Sequence, residues 1–228
     1  MKFNKKKVFV AALAVCLIAV LSMGSLAWFS HQESVTNEFF VADSDDNTPD
    51  KIFSVDVWEQ KDINNDGDFE DEGDVERTDN TLTYRDILPG DELSKIAHVT
   101  NTGHYDQYIR VIVTISDATA WINAVGLDID MDTVFVGFEE TKWDHISKSI
   151  DGETDTVTYV LYYTDILEST EDLVLFNAVK VPESLTREQA AAFEGGFAVN
   201  VKAQAVQTKN VGANAYEAFA TVGLAIEA

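Results

Sequence analysis

Apolar and polar residues alternate along much of this chain, and that period of two constrains its fold more than any other feature. Phe53, Val55 and Val57 fall on one face of a short run with Ser54 and Asp56 on the other, the pattern of a half-buried strand. The pattern recurs at Ile109, Val111, Val113 and Ile115; at Val134, Val136 and Phe138; at Val157, Tyr159, Leu161 and Tyr163; and at Phe197, Val199, Val201, Ala203 and Ala205. A series of such strands separated by polar turns predicts an all-β fold, a single antiparallel β-sandwich with short helices. Thr186-Arg187-Glu188-Gln189 reads as a capping box for a helix of about two turns that Gly195-Gly196 stops. Tyr216, Phe219, Ala220 and Leu224 fall at helical spacing and predict one apolar stripe laid on the sheet.

Turns punctuate the strands. In Leu88-Pro89-Gly90-Asp91, Pro89 fixes φ at the first inner position and Gly90 can adopt the positive φ needed next. Asn101-Thr102-Gly103 is a second turn signal, which predicts that residues 94–100 and 108–115 form neighbouring strands. Two acidic stretches, residues 43–50 and 62–79, interrupt the alternation. Burying so many carboxylates would be prohibitive, so both are expected as surface loops.

The N-terminus is of another kind. Lys2, Lys5, Lys6 and Lys7 precede an uncharged apolar run over residues 8–21, the layout of a secretory signal peptide. The run is short of the roughly 20 apolar residues that a spanning helix needs. Ser25-Leu26-Ala27 places small residues where a signal peptidase reads, which predicts a signal peptide helix over residues 1–27, cut between Ala27 and Trp28. The membrane is then met only before cleavage; the alternative is an uncleaved, tilted anchor. Cutting there removes four of the 16 basic residues and none of the 40 acidic ones. The remaining domain, residues 28–228, has a net charge of −28, which argues against nucleic acid as a partner. The sole cysteine, Cys16, is lost with the leader, so no disulfide framework forms, and an exported chain without cysteines points to a Gram-positive envelope. No sorting motif of the LPxTG type appears, so covalent attachment to a wall is not expected.

Two motifs carry a resemblance to a known family. Gly24-Ser25-Leu26-Ala27-Trp28-Phe29-Ser30 is one, and Leu88-Pro89-Gly90-Asp91-Glu92-Leu93, followed by Lys95, Val99, Asn101 and Gly103, is the other. A looser third match comprises Tyr162-Tyr163, Leu175-Phe176, Val181-Pro182 and the run over residues 199–207. The sequence resembles the TasA and camelysin family of exported Gram-positive proteins. The resemblance implies a jelly-roll topology, processing by a SipW-type signal peptidase, and a role in biofilm matrix or cell-surface fibres, with the chain itself and an accessory matrix protein as partners. Residues 28–41 hold Trp28, Phe29, Val35, Phe39, Phe40 and Val41, more apolar surface than a free tail should expose. They are the candidate donor strand, freed by cleavage to enter an open sheet edge of the next subunit.

The sharpest chemical signal is Asp62-Ile63-Asn64-Asn65-Asp66-Gly67-Asp68-Phe69, which matches a calcium loop of the EF-hand type through its eighth position. Ca²⁺ needs six to eight hard oxygen donors, and such a loop turns positions one, three and five inward. Asp62, Asn64 and Asp66 would supply them, with the carbonyl of Asp68 following. Gly73 stands where the bidentate Glu belongs, so Glu70, Glu72 or Asp74 would complete the site. The alternative is a merely solvated acidic loop. Catalytic readings fare worse: His31, His98, His104 and His145 lack zincin spacing, which argues against the metalloprotease activity attached to the camelysin name. His98 and His104 could at most hold a metal across two strands. No Gly-x-Ser-x-Gly elbow or phosphate loop appears, and with 40 acids paired carboxylates carry no information. A noncatalytic protein is expected. The rival reading is a calcium-dependent carbohydrate adhesin that stacks sugar on Trp58, Trp121 or Trp143.

Overall fold

A computed structural model describes residues 30–34, 54–64, 66–79, 82, 88–126, 129–183, 185, 186, 189 and 197–224. The chain divides after Ser30 into two units, Met1–Ser30 and His31–Ala228. The predicted leader, its cleavage site at Ala27 and Trp28, and the acidic stretch 43–50 lie outside the described residues.

The described chain is mostly strand: β1 (Ser30–Ser34), β2 (Val55–Lys61), β3 (Val75–Thr78), β4 (Glu92–Asn101), β5 (Gln107–Ser116), β6 (Phe135–Val136), β7 (Trp143–Asp151), β8 (Thr156–Tyr163), β9 (Asp172–Lys180) and β10 (Val199–Gln207). Short helices α1 (Ala118–Val125), α2 (Met131–Val134) and α3 (Ala215–Thr221) fill the connections. The strands form two five-stranded sheets, ordered β1-β10-β5-β8-β7 and β3-β2-β4-β9-β6. Every pairing with a resolved register is antiparallel, so the fold is an all-β sandwich of two antiparallel sheets. The pairs β1 with β10, β4 with β9 and β5 with β8 are nested in sequence, and they alternate between the two sheets.

Alternation built the core as expected on the long strands. Ile109, Val111, Val113 and Ile115 of β5 are fully buried, as are Val157 and Leu161 of β8 and Val201, Ala203 and Ala205 of β10. They share one cluster with Val55 and Val57 of β2 and Leu175 and Phe176 of β9. Each such Val or Ile contributes about 1.5–3 kcal/mol by leaving water.

Four local expectations are corrected. Residues 94–100 and 108–115 are both strands, but β4 and β5 lie in different sheets. The Asn101 turn carries the chain across the sandwich instead of closing a hairpin. Asn101 is fully buried at that corner: its Nδ2 donates to the carbonyls of Tyr105 and Leu167, each at 2.9 Å. Its Oδ1 accepts from the Gly103 N–H at 2.9 Å and from Gln107 Nε2 at 2.6 Å. Next, Val134 ends α2 and only Phe135–Val136 is strand, because Gly137 turns the chain at φ 78°. Third, the helical stripe is phased differently. Ala215, Ala218 and Phe219 of α3 are buried, whereas Tyr216 is exposed. These residues cover Tyr108, Val160, Tyr162 and Val206 on the outer face of the first sheet, a second apolar cluster. Finally, the 62–79 stretch is loop only to Asp74, since Val75–Thr78 returns as β3 beside β2. Asp62, at its base, is buried.

The Leu88–Asp91 turn and the Thr186 capping box take the expected shapes. Gly90 has φ 89°, and the Asp91 N–H donates to the Leu88 carbonyl at 3.1 Å. Thr186 and Gln189 form the reciprocal capping box: the Gln189 N–H donates to Thr186 Oγ1 and the Thr186 N–H to Gln189 Oε1. The helix to follow lies outside the described residues.

Candidate functional site

The β2–β3 hairpin presents the acidic loop. Its base is tied to the sheet by the Asp62 N–H, which donates to Ser94 Oγ of β4 at 2.9 Å. Its far side is held by Asp74, whose carboxylate accepts the Ile63 and Asp71 N–H groups at 2.8 and 3.0 Å. Between these anchors the backbone coils through repeated side-chain turns. Asp62 Oδ2 accepts from the Gly67 N–H at 2.9 Å, Asn64 Oδ1 from Asp66 at 3.1 Å, Asp66 Oδ1 from Asp68 at 3.0 Å and Asp68 Oδ1 from Glu70 at 3.0 Å. Short acidic and amide side chains favour such turns because they bond the backbone two residues on. Gly67, at φ 88°, adopts the left-handed conformation that a side chain would resist.

This coiling gathers carboxylates. One oxygen each of Asp66, Asp68 and Asp71 lies within 4.8 Å of the other two, all on exposed residues. Asn64 Nδ2 also donates to the carboxylates of Asp66 and Asp71. Of the residues named from sequence, Asp66 and Asp68 thus converge, Asn64 borders them, and Asp62 braces the turn through Gly67. Glu70 and Glu72 are exposed and outside the trio. Asp71 was missed, because the twelve-residue spacing directs attention to alternate positions and Asp71 falls between two of them. Partial desolvation and the negative charges of Asp66, Asp74, Asp68 and Asp62 push its carboxyl above the ordinary value. All-oxygen donors crowded at mutual repulsion fit a hard divalent cation, which Ca²⁺ is.

Among the described histidines, His98 is committed to side chains of its own sheet. His98 Nδ1 bonds Asp172 Oδ2 at 2.6 Å and its Nε2 bonds Gln60 Oε1 at 2.9 Å, so both ring nitrogens are engaged within the sheet. His104 is exposed in the turn after β4. Trp58, Trp121 and Trp143 present no open sugar platform. Trp121 and Trp143 are buried, at 1% and 6% exposure. Trp58 faces outward on β2, but His98 stacks on one side of it at 3.8 Å and the Arg77 guanidinium lies 4.5 Å from its centroid. Its Nε1 donates to Thr100 Oγ1 at 2.8 Å.

Fold and loop together define an all-β sandwich protein that carries an acidic, coiled hairpin loop. Compared with protein-family models, curated proteins and solved structures, the chain matches none. No helix among the described residues is long and apolar enough to cross a membrane.

Proposed function

We propose that this protein is an exported, noncatalytic structural subunit of biofilm matrix or cell-surface fibres in a Gram-positive bacterium, of the TasA and camelysin type. The observation that carries the reading is the position of β1. Ser30–Ser34, just past the proposed cleavage site, adds to the edge of the first sheet beside β10. A strand held at an edge by backbone hydrogen bonds can be exchanged for the same strand of another copy. Such a head-to-tail contact need not close, so it propagates a filament. The nested strand pairs alternating between sheets support a jelly-roll-like winding. Cutting by a SipW-type peptidase would free the segment only after export, with an accessory matrix protein as a further partner. Calcium held by Asp66, Asp68 and Asp71, with Asp62 and Asn64 shaping the loop, would neutralise this crowded acidic surface. The adhesin reading has no support from the tryptophans.

Deleting residues 28–34 from the mature protein tests the assembly. Folded monomers under the electron microscope are the expected result, and folded protein that still forms filaments of normal appearance refutes strand exchange. N-terminal sequencing of secreted material should begin at Trp28; a retained Met1 would replace the fibre picture with an anchored one.

A further inference from the structure

A charged pair is buried inside the sandwich. The inward positions of β2 are Val55, Val57 and Glu59, and those of β4 include Lys95, Ala97 and Val99. Glu59 lies opposite Ala97 in the register, which sets Lys95 diagonally across from it, within reach of two long side chains. Glu59 is 0% exposed and Lys95 3%. Lys95 Nζ donates to Glu59 Oε1, and Glu59 Oε2 is buried with no hydrogen-bond partner.

An ammonium offers three donors and a carboxylate has room for about four acceptor contacts. This site satisfies one of each. Desolvation holds the Lys95 amine below its ordinary value against the opposing pull of the Glu59 charge. Passage of one proton from Nζ to the Glu59 carboxylate across their hydrogen bond gives an amine and a carboxylic acid, a nucleophile against an electrophile.

We propose that Lys95 and Glu59 condense into an intramolecular amide that cross-links β2 to β4. The Nζ lone pair attacks Glu59 Cδ, and the Nζ–Cδ bond forms. One N–H proton passes to the hydroxyl oxygen of the acid, the C–O bond breaks, and one water leaves. The step uses no oxidant, cofactor or second substrate. The product needs one donor and one acceptor satisfied in place of the ionic set, and it removes the orphaned Oε2. In water an amide yields to hydrolysis largely because the released acid and amine ionise and hydrate; a dry site withholds both rewards. Packing between two paired strands also holds the reactants together, a condition worth effective concentrations of ~10⁵–10⁸ M in well-oriented intramolecular reactions.

Mass spectrometry of the full, folded protein decides the matter. The expected intact mass falls short of the sequence by one water, and a tryptic digest gives residues 52–61 joined to 86–110, uncut at Lys95. The Lys95→Met variant should have the full mass of its sequence. Wild-type protein of unreduced mass, with Lys95 cleaved normally, overturns the proposal. So does a lost water without the branched peptide, which would place the dehydration at an Asp-Gly bond such as Asp66-Gly67.

Discussion

Replacing Asn101 with alanine should be among the most damaging single changes in this protein. The side chain makes four hydrogen bonds at full burial, two donated to the Tyr105 and Leu167 carbonyls and two accepted from Gly103 and Gln107. A typical bond is worth about 1 kcal/mol net, and each buried partner left orphaned costs about 1–3 kcal/mol. The Tyr105 carbonyl is near solvent and can rehydrate. The Leu167 carbonyl keeps the Gln107 N–H and Gln107 Nε2 keeps the Ser54 carbonyl, so each loses one bond, while the buried Gly103 N–H loses its acceptor. Asn101→Ala should therefore cost roughly 3–5 kcal/mol, which at this chain length lowers Tm by roughly 10 °C. Urea unfolding followed by tryptophan fluorescence reads it as a lower midpoint at unchanged slope. Thr102→Ala, which removes one bond to Ser54 Oγ from an exposed residue, is the control and should cost about 1 kcal/mol or less. An Asn101→Ala loss under about 1 kcal/mol would refute the view that this corner is held by its buried amide.

Asp71→Asn should be at least as stable as wild type in chelator, because it removes a repelled charge, and should gain less stability when calcium is added; calorimetry on Asp62→Ala/Asp66→Ala should detect no binding at all. Burial, then the charges of Asp130 and Asp132, raise the Tyr159 hydroxyl well above its ordinary 10.0, so unfolded chains ionise first and stability should fall as pH rises past about 10. A phenolate absorbance titration should find Tyr159 ionising only with unfolding. Half-burial pushes the Asp172 carboxyl up, but hydrogen bonds from His98 and Thr100 outweigh it and hold it below its ordinary 3.8. Its stabilisation is present at neutral pH and lost as pH falls through that range, and Asp172→Asn should blunt the acid sensitivity of unfolding. Covered on both sides, Trp58 should show no fluorescence change with added oligosaccharides, and a saturable change would revive the adhesin.

The long strands were legible because burial on one face imprints a period of two, and Ile109 to Ile115 or Val157 to Tyr163 carry that imprint whatever lies opposite. The Pro89-Gly90 turn and the Thr186 capping box were legible for a similar reason: their geometry is set within four residues. Sheet membership was not. Asn101-Thr102-Gly103 reads the same whether it closes a hairpin or crosses the sandwich, and only the buried partners Leu167 and Gln107 decide for the crossing. The Tyr216 to Leu224 stripe was misphased because helical spacing admits neighbouring phases, and contact with Tyr108 and Tyr162 selects the one that buries Phe219. In the acidic loop, spacing identified Asp66 and Asp68, while Asp71 joins them through the clasp that Asp74 puts on the backbone. Glu59 and Lys95 read as ordinary polar residues on alternating strands. Their pairing inside the core depends on β2 and β4 lying side by side, a long-range choice that local periodicity does not encode.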